Sequence, residues 1–240
     1  MPLFLLGVNV EIADILIYQD NDILVVEKPV NMPSQPDKTG DEALSSFLEK
    51  NLSSSGKRAY IGIVHRLDRP VGGIMVFAKN RRAAEKLSSQ MKTRQCEKYY
   101  LAVVYGEISP PTGNFEDYLL KDPHRNVSRV VEPHHPEAKK ASLSYRVLAF
   151  HPEKKLTLVE VELHTGRHHQ IRVQWQSRGH PLYGDQKYGR GFTRGGQRLA
   201  LWSYRLSFAH PQTGEYLTFT RKPPAVYPWI LFEGYFRPQG

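Results

Sequence analysis

The chain has 240 residues, 40% of them hydrophobic and 11% aromatic, enough to bury a substantial core and to exclude wholesale disorder. A single cysteine, Cys96, excludes an intrachain disulfide and a cysteine-based zinc site and fits a reducing cytosol. No apolar run approaches the ~18–20 residues of a membrane span, and Met1 to Gly7 lacks the basic start and small-residue cleavage site of a signal peptide. The formal net charge is +9 and unevenly spread. Residues 1–50 hold nine acids against three bases, residues 57–98 eleven bases against three acids, and residues 164–198 seven bases against one acid. A basic field on part of a folded chain points to a polyanionic partner, most often nucleic acid.

In chain order, Ile23 to Val26 reads as a buried strand ending at Lys28-Pro29. Turn signals fill Asn31 to Gly40. Asp41 then opens a helical pattern with Ala43, Leu44, Phe47 and Leu48 on one face. Gly73 to Ala78 is a strand. Asn80 caps a helix with Ala83, Ala84, Leu87 and Met91 inward. Tyr99 to Tyr105 is strand-like, and Lys121 to Lys140 reads as a long, mobile basic hairpin or loop. Thr157 to Leu163 alternates as a strand with one buried face. Arg167 to Arg178 is a short helix with Ile171 and Trp175 inward and Gly179 as its stop. Leu199 to Phe208 and Tyr216 to Thr220 are strands joined by the turn His210 to Gly214. Strands outnumber helices and few are joined by them, which argues for an α+β fold with a mixed, mostly antiparallel sheet.

Three stretches carry the chemistry. In His65-Arg66-Leu67-Asp68-Arg69-Pro70 a carboxylate sits between two arginines, which would keep it ionised and nucleophilic; a surface ion pair is the plainer reading. Gly72 and Gly73 suggest a backbone that must make room for something. In Leu163 to Arg172 a strand, a glycine turn and a helix start suit an anion, with Arg167 at the turn and Arg172 about one and a half turns into the helix. His164, His168 and His169 lack a carboxylate or cysteine at ligand spacing, and the adjacent pair is expected to point to different faces, so no metal site is expected. The tyrosines of Lys98-Tyr99-Tyr100 are core residues with a polar tip or base-stacking groups.

Together these residues resemble the RluA-type family of RNA pseudouridine synthases, from Ile17 to Glu215. The resemblance is carried in order by the strand ending in Lys28-Pro29, the tetrapeptide His65-Arg66-Leu67-Asp68, Lys98-Tyr99-Tyr100, and Thr165-Gly166-Arg167-His168-His169-Gln170-Ile171-Arg172. Gly179 to Asp185 and His210 to Glu215 match flanking signatures. Two positions depart from the pattern: Val71-Gly72 replaces a usual Thr-Ser, and Gln174 replaces a common histidine. Only sixteen residues precede Ile17, too few for the N-terminal RNA-binding module of the ribosomal-protein S4 kind. The expectation is therefore a single catalytic domain over 1–240, its motif-bearing part about 17–220, with the pseudouridine synthase fold around a cleft.

The resemblance implies isomerisation of specific uridines in structured rRNA or tRNA, detaching uracil from ribose at nitrogen and rejoining it at carbon. Asp68 is the implied nucleophile, Arg172 its guanidinium partner, and Tyr100 the residue that stacks on the base. The target must leave its stack, and Arg66 is placed to fill the space. Leu67 and Ile171 are apolar walls, and Lys28 supports the site through a backbone or carboxylate contact. His65, Arg69, Arg167 and Gln170 complete the RNA-facing set, with Arg125, Arg129, Lys139 and Lys140 on the 121–140 arm. No cofactor and no metal are implied, and no Gly-rich phosphate loop is present. RNA is the expected partner, not DNA or a membrane, for a cytoplasmic monomer. Competing readings are an inactive RNA-binding or ribosome-assembly factor, and a metal-dependent nuclease or phosphatase built on His65, Asp68, His164 and Asp185.

Overall fold

A computed structural model describes residues 3–5, 8–54 and 57–236. In chain order the strands are β1 (Leu3–Leu5), β2 (Val8–Val10), β3 (Leu16–Gln19), β4 (Ile23–Lys28), β5 (Gly62–Ile63), β6 (Gly72–Ala78), β7 (Glu97–Tyr105), β8 (Thr112–Asp122), β9 (Val127–Val131), β10 (Lys139–His151), β11 (Leu156–Leu163), β12 (Leu201–Ala209) and β13 (Tyr216–Thr220). The helices are α1 (Ile12–Ile15), α2 (Leu44–Leu52), α3 (Arg81–Thr93), α4 (Gln170–Gln176) and α5 (Glu233–Phe236), the last preceded by a 3₁₀ turn at Trp229–Phe232. β1 and β2 form a small antiparallel pair. The chain divides into two compact units, Met1–Glu97 with Ser203–Arg221, and Lys98–Trp202 with Lys222–Gly240.

In the first unit the strand order is β3-β4-β6-β12, with β13 against β12 and β5 against β6. The β4–β6 register sets Val25 opposite Val76 and Lys28 opposite Gly73. β4 and β6 are buried on both faces, as continuous apolar runs require. Ile23, Val25, Ile74, Val76 and Ala78 share a core with Ala83 and Leu87 of α3 and with Leu206 and Phe208 of β12. Asn80 caps α3 as expected, accepting from the Ala83 amide at 2.8 Å. α2 starts later than expected, because Asp41 leaves the helix and pairs with Arg69. Gly73 answers the question its motif raised: at φ +111 its absent Cβ would sit 2.3 Å from the Ser203 carbonyl oxygen. The room is made for a neighbouring strand.

The second unit is a five-strand antiparallel sheet in the order β7-β11-β10-β8-β9. β11 is buried on both faces over Leu156–Val159 and alternates only toward its end, so the expectation of one buried face holds for half of it. α4 is fixed by Trp175, whose ring lies 4.9 Å from Phe115 of β8 and 5.0 Å from Tyr145 of β10. Val173 packs with Leu119 and Ala141. Gly179, at φ +82, ends the segment as expected. Residues 121–140 form a hairpin and a turn, with β9 paired along β8 and β10 starting at Lys139. The tip is an Asx turn, in which the Asp122 carboxylate accepts from the His124 and Arg125 amides.

Candidate active site

Asp68 lies in the first unit on the loop between β5 and β6, and its side chain is partly exposed. The loop is held on both sides of it. Before Asp68, the Ser34 hydroxyl donates to the Leu67 carbonyl at 2.8 Å and accepts from the Leu67 amide at 3.2 Å. After it, the Lys28 ammonium donates to the Arg69 carbonyl at 3.1 Å, and also to the carbonyls of Pro29 at 2.9 Å and Met32 at 2.6 Å. Three acceptors use all three ammonium donors. Asn31, at φ +64, turns the chain so that Pro29 and Met32 can both face that nitrogen. Lys28 is fully buried. Burial pulls its ammonium down to about 7, against the opposing charge of Asp68.

The Asp68 carbonyl accepts from the Val71 amide at 2.9 Å, so a backbone bond closes this turn where the departure from the Thr-Ser pattern falls. His65 accepts the Val76 amide on Nε2 at 3.0 Å, which sets the Nδ1–H tautomer in the neutral ring. Arg69 is strapped to the preceding loop through the Asn31 carbonyl, Thr39 and Asp41. Arg66 is exposed and makes no hydrogen bond or ion pair among the described residues.

The second unit carries Tyr100, Arg125, Arg129, Lys139, Lys140, Arg167, Gln170, Ile171 and Arg172. Tyr100 is buried on β7 opposite Val161. Gln170 organises the turn before α4. Its Oε1 accepts from the Thr165 hydroxyl at 2.7 Å and the Arg167 amide at 3.1 Å, and its Nε2 donates to the Ser142 carbonyl at 3.1 Å. That turn uses up Thr165 to His169, so α4 begins at Gln170 and Arg172 stands in its first turn, earlier in the helix than expected.

The Arg172 guanidinium is buried and forks onto Asp185, Nε to Oδ2 at 2.7 Å and Nη2 to Oδ1 at 2.8 Å. Asp185 Oδ1 also accepts the Lys187 and Tyr188 amides, and the Tyr188 ring lies 5.1 Å from the Arg172 Cζ. The neighbouring Gly184, at φ +72, is required: a Cβ there would lie 2.0 Å from the Arg198 carbonyl oxygen. The Tyr188 hydroxyl accepts the Ser128 amide at 2.7 Å and shares a hydrogen bond with His169 Nδ1 at 2.7 Å. Burial, and then the Arg172 charge, hold His169 far below the usual imidazole range, so it stays neutral.

The rings of His168 and His169 stack at 3.7 Å, which corrects the expectation of different faces. The left-handed backbone at His169, φ +55, brings them together. His168 bonds Ser128 and Asn126, fastening the β8–β9 tip to the turn before α4. Gln174, in the place of the common histidine, is buried and donates to Asp117 at 2.6 Å.

Lys28, His65 through Nε2, and Gln170 bond groups of the protein itself. Leu67 and Ile171 are buried. Lys140 pairs with Glu116 at 2.6 Å, and its carbonyl accepts from Arg167 Nε at 2.9 Å. Sequence reasoning missed Ser34, and it placed Asp185 in a flanking signature and in the nuclease reading without seeing its arginine; the Gly184-Asp185 turn followed by Tyr188 was the available signal. The residues of the nuclease reading are engaged separately: His65 by Val76, Asp185 by Arg172, His164 Nε2 by Ser144 at 2.7 Å. Among the described residues, Asp20, Asp22 and His210 bring ligand atoms within 4.8 Å of one another. Asp20 there accepts two backbone amides, the Tyr18 hydroxyl and His210 Nε2, a pin between two turns.

The family model for RNA pseudouridylate synthase matches residues 22–177. An uncharacterized RNA pseudouridine synthase of Aquifex aeolicus is 36% identical over 231 residues, covering 90% of this chain and 72% of that protein. The dual-specificity RNA pseudouridine synthase RluA of Vibrio vulnificus is 34% identical, covering 82% and 78%. Ribosomal large subunit pseudouridine synthase C of Escherichia coli is 34% identical, covering 85% and 65%. Human RNA pseudouridylate synthase domain containing 4 shares the fold, with a TM-score of 0.72 at 22% identity over 88% of this chain and 89% of that one. The chain belongs to the RluA-type family of RNA pseudouridine synthases, enzymes that isomerise uridine in RNA.

Proposed function

We propose that the chain, acting as one catalytic domain and a monomer in the cytoplasm, converts specific uridines of structured rRNA or tRNA to pseudouridine with Asp68 as nucleophile. The glycosidic carbon–nitrogen bond breaks, a carbon–carbon bond forms, and the proton displaced from the ring carbon is balanced by one gained at the ring nitrogen. No group donor or cofactor enters. The observation that carries the reading is the treatment of Asp68: its neighbours Leu67 and Arg69 are clamped through their backbones, while its carboxylate stays partly exposed. Arg172 keeps the carboxylate ionised, Tyr100 stacks on the flipped base, and the uncommitted Arg66 fills the space the base leaves.

Arg125, Arg129, Lys139 and Lys140 grip the RNA backbone from the β8–β9 hairpin and the start of β10. Arg129 and Lys139 are exposed with no ion pair among the described residues, and they contribute more than Arg125 and Lys140, which face Asp122 and Glu116. The test is pseudouridine mapping in total RNA from cells with and without the gene, repeated with Asp68→Ala. A site that vanishes without the gene and stays absent with Asp68→Ala is the expected result. Turnover by Asp68→Ala, read by tritium release from labelled uridine RNA in EDTA, sinks the assignment.

A further inference from the structure

The basic stretch that ends the second charged region is only partly used by the matched motifs. From Gln186 to Gly214 there is no Asp or Glu, and Arg190, Arg194 and Arg198 fall within nine residues. All three are exposed, and their guanidinium groups make no hydrogen bond or ion pair among the described residues. Other arginines are tied down: Arg58 to Glu49, Arg69 to Asp41, Arg146 to Glu160, Arg172 to Asp185, Arg178 to Asp117 and Arg221 to Glu27.

The loop that carries the three is built, not loose. Gln186 Nε2 donates to the carbonyls of Arg194 and Gln197, both at 3.1 Å. Gln197 Oε1 accepts the Arg194 amide at 2.7 Å, and its Nε2 donates to the Tyr183 hydroxyl at 2.8 Å. Asp185 and Gly189 carbonyls accept the Gly189, Phe192 and Thr193 amides. Between the arginines stands Phe192, 49% exposed, with its ring 5.3 Å from Tyr105. Tyr105 in turn meets Tyr183, and Tyr183 meets Tyr227. An aromatic ring backed by other rings on one side and open on the other, flanked by unpaired guanidinium groups, is the chemistry that holds unpaired nucleotides: a base on the ring, phosphates on the arginines.

We propose that the loop 186–198 is a second RNA contact, taking single-stranded RNA with a base stacked on Phe192 and the backbone on Arg190, Arg194 and Arg198. The proposal rests on the pseudouridine synthase reading for the class of partner. Binding is measured by fluorescence anisotropy with two labelled probes, decauridylate and an abasic ribose-phosphate strand of equal length. The combined R190Q, R194Q and R198Q variant should bind both probes more weakly and lower the slope of log affinity against log salt by about 2, at about 0.7 per neutralised phosphate. Phe192→Ala should bind decauridylate about tenfold more weakly, with the abasic probe and the salt slope unchanged. Phe192→Trp should restore the loss.

An unchanged slope in the triple variant overturns the proposal, as does equal weakening of both probes by Phe192→Ala or no binding of decauridylate by the unaltered protein. The first of these, with pseudouridine levels in cellular RNA falling all the same, would mean the surface meets a protein. If the unaltered protein makes pseudouridine and the loop variants bind as it does, the loop proposal alone fails. If it makes none and the loop variants lose binding as expected, the catalytic reading fails and the loop stands.

Discussion

The Asp68 loop and the Arg172 turn hold their key residues by opposite means. Around Asp68 three clamps act on the backbone: Ser34 on Leu67, Lys28 on Arg69, and the Val71 amide on the Asp68 carbonyl. Around Arg172 the clamp acts on the functional group itself, a two-point fork from Asp185 with the Tyr188 ring beside it. On the proposed reading Asp68 is a nucleophile that must approach and leave a reacting atom, and the backbone clamps fix its point of attachment. On the same reading Arg172 orients a charge and works by standing still, and the Asp185 fork fixes its plane.

The sharpest way to break this contrast is at Asp68. Asp68→Asn should leave no detectable turnover in the tritium-release assay, yet unfold within about 1 kcal/mol of the unaltered protein in urea, because the loop is held by its neighbours. A large loss of stability would mean that the carboxylate itself builds the loop. Asp185→Ala should behave the other way. It leaves a buried guanidinium without its fork, and a loss of about 3–5 kcal/mol is expected in urea or thermal melts. Asp185→Asn, which keeps an acceptor, should lose less.

Lys28 gives a smaller effect with a pH signature. Its amine titrates near 7 when folded and near the ordinary 10.5 when unfolded. Between those values the unfolded chain binds the extra proton, so stability rises with pH through that window and is flat in this respect below it. The stability of the unaltered protein relative to Lys28→Met should therefore increase from pH 7.5 to pH 10, as read by urea unfolding at each pH. A difference that stays level or falls would place the folded amine at its ordinary value. Smallest is Ser34→Ala, which strands the Leu67 amide and carbonyl at a cost of about 1–2 kcal/mol. It should lower kcat while leaving KM nearly unchanged, and Ser34→Thr should recover part of kcat; a rise in KM alone would make Ser34 a binding residue.

The strands and α3 could be read from the sequence because their signals are local: apolar runs at β4 and β6, and an asparagine cap before a period of 3.6 at α3. The candidate site residues were readable as motifs, but their supports were not. Ser34 lies 33 positions from Leu67, and Lys28 lies 41 from Arg69. No periodicity reports such distant pairs. The start of α2 was misplaced for the same reason, since Asp41 is taken by Arg69, 28 residues on. The stacking of His168 and His169 depends on a left-handed residue that is not glycine, and nothing in the pair of letters announces it. The exposed aromatic between three arginines was visible only as charge.

The Lys28 amine has one more consequence. An amine half deprotonated at neutral pH is a far better nucleophile toward acylating reagents than an ordinary surface lysine, yet this one is sealed from solvent. Its rate of covalent labelling is then set by how often the Asp68 loop breathes open. Mass spectrometry of that single peptide would turn the buried clamp into a clock for the motion of the loop that carries Asp68.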